Sequence, residues 1–496
     1  MFEKITPEAA GISSDKIVKF INRIEKRGAI MHSMLMMRYG KIINENYWAP
    51  FNKDFCHRMY SQTKSYSAIG IGLLEEEGKL SLDDKLIDIF PDKVAGEISI
   101  HLKEQTVRQM LTMTTVGNPV NWFHESENPD RTHLYFNERT RAHPSGTVWE
   151  YDSAGSQVLC AIVERLSGMS LLDYLKSKLF DKMGMFKTAE ILKTRNGDSW
   201  GDSALLCTTR DMASFAQLLM QGGVWEGERL MNEKFVRDAT SKQVDNTVKW
   251  FNTCFYHGYG YQIWRTEQNG FAFVGMGDEL TIALPDKDFI FVCTADHQGT
   301  DNLMRNILVN AFFDIIVDNM SDASLPEDKE AFARLAERTS DLKLRSIQGM
   351  SDSSFRKELC GTRYLCEKNP MGISEFSFIF SEDGKCGEFH YKNEQGDKVI
   401  PFGVNHNVFG KFPELGYSND FGGLKTTDGF MYKDAVSIGW LEDKKLILFV
   451  QIIDRYFGLM SAVFAFRDEW CTAKFTKVGE NFLEKYSGEL VANAVK

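Results

Sequence analysis

The 496-residue chain predicts a mixed α/β (α+β) domain followed by a small antiparallel β-barrel, and three observations carry that prediction. A chain of this length buries two full cores more readily than one. Up to about residue 320, helical patterns such as "DMASFAQLLMQGG" and "GSQVLCAIVERLSGMSLLDYLKSKLF" alternate with short strand-like runs such as "FIFVCTA", the pattern of helices packed on a sheet. Beyond that point strands dominate. "EFSFIF", "KLILFVQII" and "LMSAVFAFRDEWCTAKFTKV" are separated by Gly, Asp and Asn clusters and read as hairpins that close on themselves. The division expected is therefore 1–320, a linker with a polar helix over 321–345, and a barrel over 346–496. The linker is assigned to "SDASLPEDKEAFARLAERTSDLKL" because charge and turn formers crowd its start.

Composition excludes several classes of function. With 43% hydrophobic and 26% charged residues the chain is globular and neither disordered nor fibrous. A net charge of −11 opposes binding to a phosphate backbone, so no nucleic-acid partner is expected. No apolar run reaches the roughly 18–20 residues that span a bilayer, and the charged N-terminus lacks the apolar core of a secretory signal. No membrane partner and a cytoplasmic location are therefore expected. The nine cysteines, an odd number without a CxxC pair, and the ten histidines, without HExxH spacing, fit neither a disulfide framework nor a metal site. No metal and no cofactor is predicted.

Taken in chain order, the first element with chemical potential is "MYSQTKSYSAIGIGLL". Ser-x-x-Lys alone is weak, since the chain holds it at Ser13, Ser61, Ser340 and Ser354. Residues i and i+3 share a helix face, so a lysine one turn after a serine brings its amine within reach of Oγ. To accept a proton that amine must be desolvated. Only Lys64 is followed by a run without charge before Glu75, which reads as a buried helix. The helix N-terminus adds partial positive charge beside Ser61. The local residues equally allow Ser61 to cap the helix while Lys64 snorkels to the surface.

The second element is Tyr151-Asp152-Ser153 in "PSGTVWEYDSAGSQVL". Three other Tyr-x-Asn matches exist, but only Tyr151 follows a Pro-Ser-Gly turn and precedes a small-residue helix start. A tyrosine near two amines can act as a base. A core tyrosine bonded to backbone is the alternative.

At this point the residues resemble a family. "SQTK", "GKLSLDDKLIDIFPD", "TVRQMLTMTTVGNP", "PSGTVWEYDSAGSQVLCAIVERLSGMSLLDYLKSKLFDKMGM" and "TTRDMASFAQLLMQGG", in that order, resemble the serine β-lactamase-related hydrolases: class C β-lactamases, D-aminopeptidases, D-Ala-D-Ala carboxypeptidases and esterases. The resemblance covers about residues 5–315 and rests on five matching segments. It implies a β-lactamase/transpeptidase-like fold with a central antiparallel sheet and a helical subdomain. It also implies roles: Ser61 as acylated nucleophile, Lys64 as proton acceptor, and Tyr151 as the group that protonates the leaving group and later activates water. Ser153 becomes a polar substrate contact or a member of the proton network.

The family's third motif, Lys-Thr-Gly or His-x-Gly, falls on "GFAFVGMGDELTIALPDKDFIFV". Phe273-Val274-Gly275 stand there, placing Phe273 and Gly275 beside substrate with no cation. The Met276 N–H, with that of Ser61, is the expected oxyanion hole. The missing cation weakens the case for a penicillin-like or carboxylate-bearing substrate. The literal His297-Gln298-Gly299 follows the next strand and is not expected to reach the site. Asp278 and Glu279 stand where relatives carry small or neutral residues. They read as solvent-facing in preference to amine-binding.

In the loop between the first two motifs, Trp122, Phe123, Tyr135 and Phe136 either form an aromatic cleft wall or pack the loop on the helical subdomain. Trp149 and Trp264 are expected in the core. Relatives of the D-aminopeptidase type carry a small lipocalin-like barrel after the hydrolase domain. Here it either rims the cleft or joins copies into a homo-oligomer. The reading is a serine hydrolase acting through an acyl-enzyme on a small ester, amide or short peptide, D-amino-acid amides included. The alternatives are acyl transfer through the same intermediate, or a silent scaffold on this fold.

Overall fold

The computed structural model describes residues 2–117, 128–137, 143–247, 254–300, 302–415, 431–479 and 486–495. They divide into two compact units, one up to Lys343 and the other from Leu344. Among the described residues no helix is long and apolar enough to cross a membrane.

The first unit is built on a six-stranded antiparallel sheet. Its strands are β1 (Met31–Arg38), β2 (Lys41–Tyr47), β6 (Trp264–Arg265), β7 (Phe271–Val274), β8 (Leu280–Leu284) and β9 (Phe289–Ala295), in the order β2-β1-β9-β8-β7-β6. Three short strands, β3 (His57–Arg58), β4 (Glu190–Ile191) and β5 (Leu205–Cys207), form a separate sheet ordered β3-β5-β4. β1 and β9 are buried throughout because both faces of the large sheet are covered. Alternate side chains point to opposite faces. Ile290 and Val292 therefore join one core, with Phe273, while Phe289, Phe291 and Cys293 join the other.

Helices supply the covering. α1 (Ser14–Lys26) lies with α6 (Leu303–Ile315) over one face, and α5 (Thr209–Met220) packs on β1, β8 and β9 from the other side. The centre of the helical layer is α2 (Thr63–Glu76), whose residues Thr63 to Leu74 are all buried. α3 (Arg131–Asn137) and α4 (Ser153–Ser167) complete the part that bears on the site, and α4 packs along α2. Close approach requires glycine. A Cβ at Gly70 would lie 2.8 Å from Val163 Cγ2, and one at Gly72 would lie 2.4 Å from the Phe235 ring.

The segment expected to be a linker packs against the first unit instead. α7 (Lys329–Thr339) lies along α1, buries Ala331 and Leu335, and pairs Arg334 with Asp15 and Arg338 with Glu25. Upstream of it, the buried Arg38 guanidinium donates to the carbonyls of Ala10 and Ser321 at 2.7 and 2.6 Å.

The second unit is a closed nine-stranded barrel. Its strands are β10 (Arg363–Cys366), β11 (Glu375–Phe380), β12 (Cys386–Asn393), β13 (Gly396–Val404), β15 (Lys433–Glu442), β16 (Lys445–Ile453), β17 (Phe457–Arg467), β18 (Trp470–Gly479) and β19 (Gly488–Val495). Their order is β13-β12-β11-β10-β19-β18-β17-β16-β15. All neighbours are antiparallel except β13 and β15, whose short parallel pairing at Gly403–Ser437 and Val404–Ile438 closes the ring. β14 (Val408–Lys411) pairs with β15 outside the ring count. Alternating positions fill the interior with rings. Phe376, Phe378, Phe389 and Phe464 meet one another at centroid distances of 4.9–6.1 Å, so this interior is a packed core.

Candidate active site

Ser61 occupies the middle of a 3-10 turn, Tyr60–Gln62, between strand β3 and helix α2. The turn is fixed on both sides. Met59 N–H donates to the Leu205 carbonyl at 2.8 Å, Thr63 Oγ1 donates to the Tyr60 carbonyl at 2.7 Å, and Leu205 N–H donates to Thr63 Oγ1 at 3.1 Å. Tyr60 is buried with φ of +45°, a conformation that bulky residues avoid unless their surroundings impose it. Arg58 packs on the same ring. Its buried guanidinium lies 4.6 Å over the Tyr60 ring and 4.7 Å over the Trp200 ring, and its Nε donates to the Ser203 carbonyl.

Lys64, one turn after Ser61, has a side chain only 2% exposed. Its Nζ lies 2.9 Å from Ser61 Oγ and 2.8 Å from the Asp202 carbonyl oxygen. The snorkelling alternative is therefore absent. Burial has a sequence cause, because α2 carries no other charge before Glu75 and every face of it meets protein. The Tyr151 ring centroid lies 5.2 Å from Lys64 Nζ, and the ring stacks on Trp264 at 5.6 Å and 21°. Tyr151 is held next to the start of α4, where the buried Asp152 side chain accepts from Gly155 N–H at 2.8 Å and from Thr115 Oγ1 at 2.6 Å. Ser153, the first residue of α4, is half-buried.

The end of β7 meets the Ser61 turn directly. A Cβ at Gly275 would lie 2.6 Å from the Met59 carbonyl oxygen. The Gly275 N–H is committed to the Glu279 carbonyl at 2.8 Å, and Met276, next along, is exposed. The structure thus brings Ser61, Lys64, Tyr151, Gly275 and Met276 to one place.

Other expected residues lie elsewhere. Phe273 is fully buried against Phe215 and Phe271 at 5.3 and 5.8 Å. Strand alternation points it into the core, away from a substrate. Tyr135 and Phe136 are also buried, and Gln105 Nε2 donates to the Tyr135 hydroxyl, so they pack the helical layer and form no cleft wall. Trp122 and Phe123 lie outside the described residues. Trp149 and Trp264, expected in the core, are half-buried and group around Tyr151 with Tyr256 and Tyr259.

Asp278 and Glu279 do not face solvent. Asp278 is buried between Arg305, whose Nε donates at 2.6 Å, and His297 Nδ1 at 2.8 Å. Burial pushes this carboxyl up, but Arg305 and the His297 bond outweigh it and hold it below its ordinary range. The Ile30 N–H donates to His297 Nε2 at 2.9 Å, which assigns the proton to Nδ1. Both ring nitrogens are thereby spent on structure. Glu279 is fully buried, and its carboxyl is pushed well above the carboxylate range by burial and by Asp296 and Asp278 nearby. His57, 3.9 Å from it, is pushed down to about 3 by burial. Its Nδ1 bonds the Arg58 carbonyl and its Nε2 meets His32 Nδ1 at 2.9 Å, so this pair is neutral.

Two groups had no local signal in the sequence. The buried Asp202 carboxylate faces Lys64 Nζ at 3.9 Å and Arg131 Nη1 at 3.7 Å, and among the described residues neither of its oxygens has a hydrogen-bond partner. Gln262 joins the helices that carry the site. Its backbone carbonyl accepts from Ser65 Oγ, its side-chain oxygen accepts from Ser156 Oγ, and its Nε2 donates to the Met110 carbonyl.

Comparison with known proteins follows the same lines. Residues 20–311 match the family model described as Beta-lactamase. A 6-aminohexanoate-dimer hydrolase of Paenarthrobacter ureafaciens is 24% identical over 279 residues, 53% of this chain and 71% of the relative. Among solved structures, a penicillin-binding protein homologue from Caulobacter crescentus superposes with a TM-score of 0.50 at 16% identity, covering 62% of this chain and 99% of the other. EstCE1, described as a hydrolase with promiscuous acyltransferase activity, superposes with a TM-score of 0.50 at 13% identity, covering 60% of this chain and 99% of its own.

Proposed function

The chain belongs to the beta-lactamase family, and from that premise we propose that it is a serine hydrolase that cleaves a small ester or amide through an acyl-enzyme on Ser61. The observation that carries this reading is the buried Lys64 amine 2.9 Å from Ser61 Oγ. One hydrogen bond to the Asp202 carbonyl orients Nζ, and a second position of the amine faces the hydroxyl. In the proposed cycle Oγ attacks the substrate carbonyl as its proton passes to Nζ. The N–H groups of Ser61 and Met276 hold the developing oxyanion. The proton then moves by way of Tyr151 to the leaving group as its bond to the acyl carbon breaks. Water, activated by the same pair, adds to the acyl carbon and releases Ser61.

Substrate candidates follow from the chemistry around this centre. The name of the Paenarthrobacter relative gives it a dimer of an amino acid as substrate, which supports short amides as the first class to test, D-amino-acid amides among them, followed by small carboxyl esters. Acyl transfer is the second reading. EstCE1, of the same fold, is described as carrying it out, and an acyl-enzyme that meets an alcohol before water would do the same here.

The test is intact mass after incubation with a fluorophosphonate, for wild type and Ser61→Ala. A single stoichiometric adduct on wild type alone is expected. An unlabelled, folded wild type would leave the silent scaffold as the better reading. With labelling established, ester turnover in the presence of an added alcohol separates hydrolysis from transfer.

A further inference from the structure

The turn that follows β7 closes over one of its own side chains. Gly275 N–H donates to the Glu279 carbonyl at 2.8 Å, and Gly277 N–H donates to Glu279 Oε2 at 3.1 Å. The carboxyl fills the space beneath both glycines. A Cβ at Gly275 would lie 2.3 Å from Oε2, and one at Gly277 would lie 2.6 Å from Oε1. The outer side of the turn is tied as well, with Arg305 Nη2 donating to the Gly275 carbonyl at 2.8 Å and His297 N–H to the Gly277 carbonyl at 3.1 Å. Met276 is the residue between the two glycines, and its N–H is the proposed second oxyanion donor.

We propose that Glu279 is a positioning residue, whose carboxyl buttresses the Gly275–Gly277 turn from beneath and so aims the Met276 N–H at the oxyanion formed on the Ser61 acyl carbon. This inference rests on the acyl-enzyme reading of Ser61. Aim matters because a preorganised donor acts only within hydrogen-bond distance of where charge develops. The charge state matters for the same reason, since a carboxylate packed under the turn would repel the oxyanion above it. Several features keep Glu279 neutral. It is fully buried, Asp278 and Asp296 lie nearby, and His57 at 3.9 Å is itself uncharged. Among the described residues its Oε1 has no hydrogen-bond partner. Two glycines spaced around one methionine, followed by a glutamate, are therefore one device. The side chains missing at 275 and 277 make room for the one at 279.

The test uses full-length protein and p-nitrophenyl acetate, with the acylation rate constant read from the p-nitrophenol burst and the half-saturating concentration read alongside. Glu279→Ala removes the buttress, Glu279→Asp withdraws the carboxyl by one methylene, and Glu279→Gln keeps reach and neutrality. Ala and Asp are expected to lower the acylation rate constant about 10-fold or more, up to the roughly 100- to 1000-fold that outright loss of an oxyanion donor costs, with half-saturation changed less than about 3-fold. Gln is expected to stay within about 3-fold of wild type. If the Ala variant does not fold, the Asp and Gln pair decides. A folded Ala or Asp variant that acylates at the wild-type rate overturns the inference, as does a Gln variant that falls as far as Ala. Wild type that forms no adduct at Ser61 overturns the underlying reading. Wild type that acylates beside indifferent variants overturns this inference alone.

Discussion

Lys64 Nζ is held from two sides at the residue scale, by Ser61 Oγ and by the Asp202 carbonyl, and the Tyr151 ring beside it is supported by a stacked neighbour. Its face lies on Trp264 at 5.6 Å with 21° between planes, and Trp264 is in turn edged by Trp149, Tyr256 and Tyr259. A stacked aromatic pair contributes about 0.5–1.5 kcal/mol beyond its area. Trp264→Ala should therefore free the Tyr151 ring and lower kcat/KM about 5- to 10-fold, with Trp264→Phe restoring most of it. Steady-state turnover of whichever ester wild type hydrolyses is the measurement. Equal rates for the Ala variant and wild type would mean that Tyr151 is positioned without the stack. Asp202 acts at the same scale. It sits 138 residues from Lys64 along the chain, and no local pattern announces a carboxylate that meets its lysine only through the fold.

Helix α2 shows at the scale of elements what the sequence reveals and what it hides. Its uncharged run from Ser65 to Leu74 made burial legible, and burial in turn placed the Lys64 amine. The glycines inside the run carry a second message, since a helix interior tolerates glycine poorly unless something needs the space. Phe235 occupies that space at Gly72, 2.4 Å from where a Cβ would be. Gly72→Ala should cost about 1–3 kcal/mol through overpacking, despite the better helix propensity of alanine. Chemical denaturation of the two proteins measures it, and an unchanged or raised midpoint would refute the steric account. Elsewhere the sequence misled for identifiable reasons. Alignment to a motif put Phe273 beside substrate, but the two-residue strand period sends it to the core with Phe271. Charge suggested solvent for Asp278 and Glu279, but Arg305, His297 and the Gly277 N–H receive them inside. The charged start of residues 321–345 resembled a linker because its buried pair, Ala331 and Leu335, is small against the ion pairs that dock it on α1.

For the molecule as a whole, most of the 127 charged side chains (58 basic and 69 acidic) contribute little to a pH dependence of stability, since exposed groups titrate alike in folded and unfolded chains. Acids withheld from water are different. Asp434 on β15 is 1% exposed. Burial, opposed by its own and the Gly410 backbone N–H, pushes it from its ordinary 3.8 up to about 7. The folded state therefore holds this proton more tightly than the unfolded one. Its contribution is fully present below pH 3.8, declines as pH rises toward 7, and is spent above that. The whole span corresponds to about 4 kcal/mol, of which roughly 2–3 kcal/mol falls between pH 5 and 8. Asp434→Asn keeps the shape and removes the titration. The difference in unfolding free energy between variant and wild type should therefore grow by roughly 2–3 kcal/mol in favour of the variant from pH 5 to pH 8. Hydrogen exchange of the β15 backbone amides, followed by mass spectrometry in the full-length chain at each pH, reads the opening of this unit. A difference that stays constant across that range would show that Asp434 already ionises in the folded barrel at pH 5, and that water or a rearranged neighbour reaches its carboxylate.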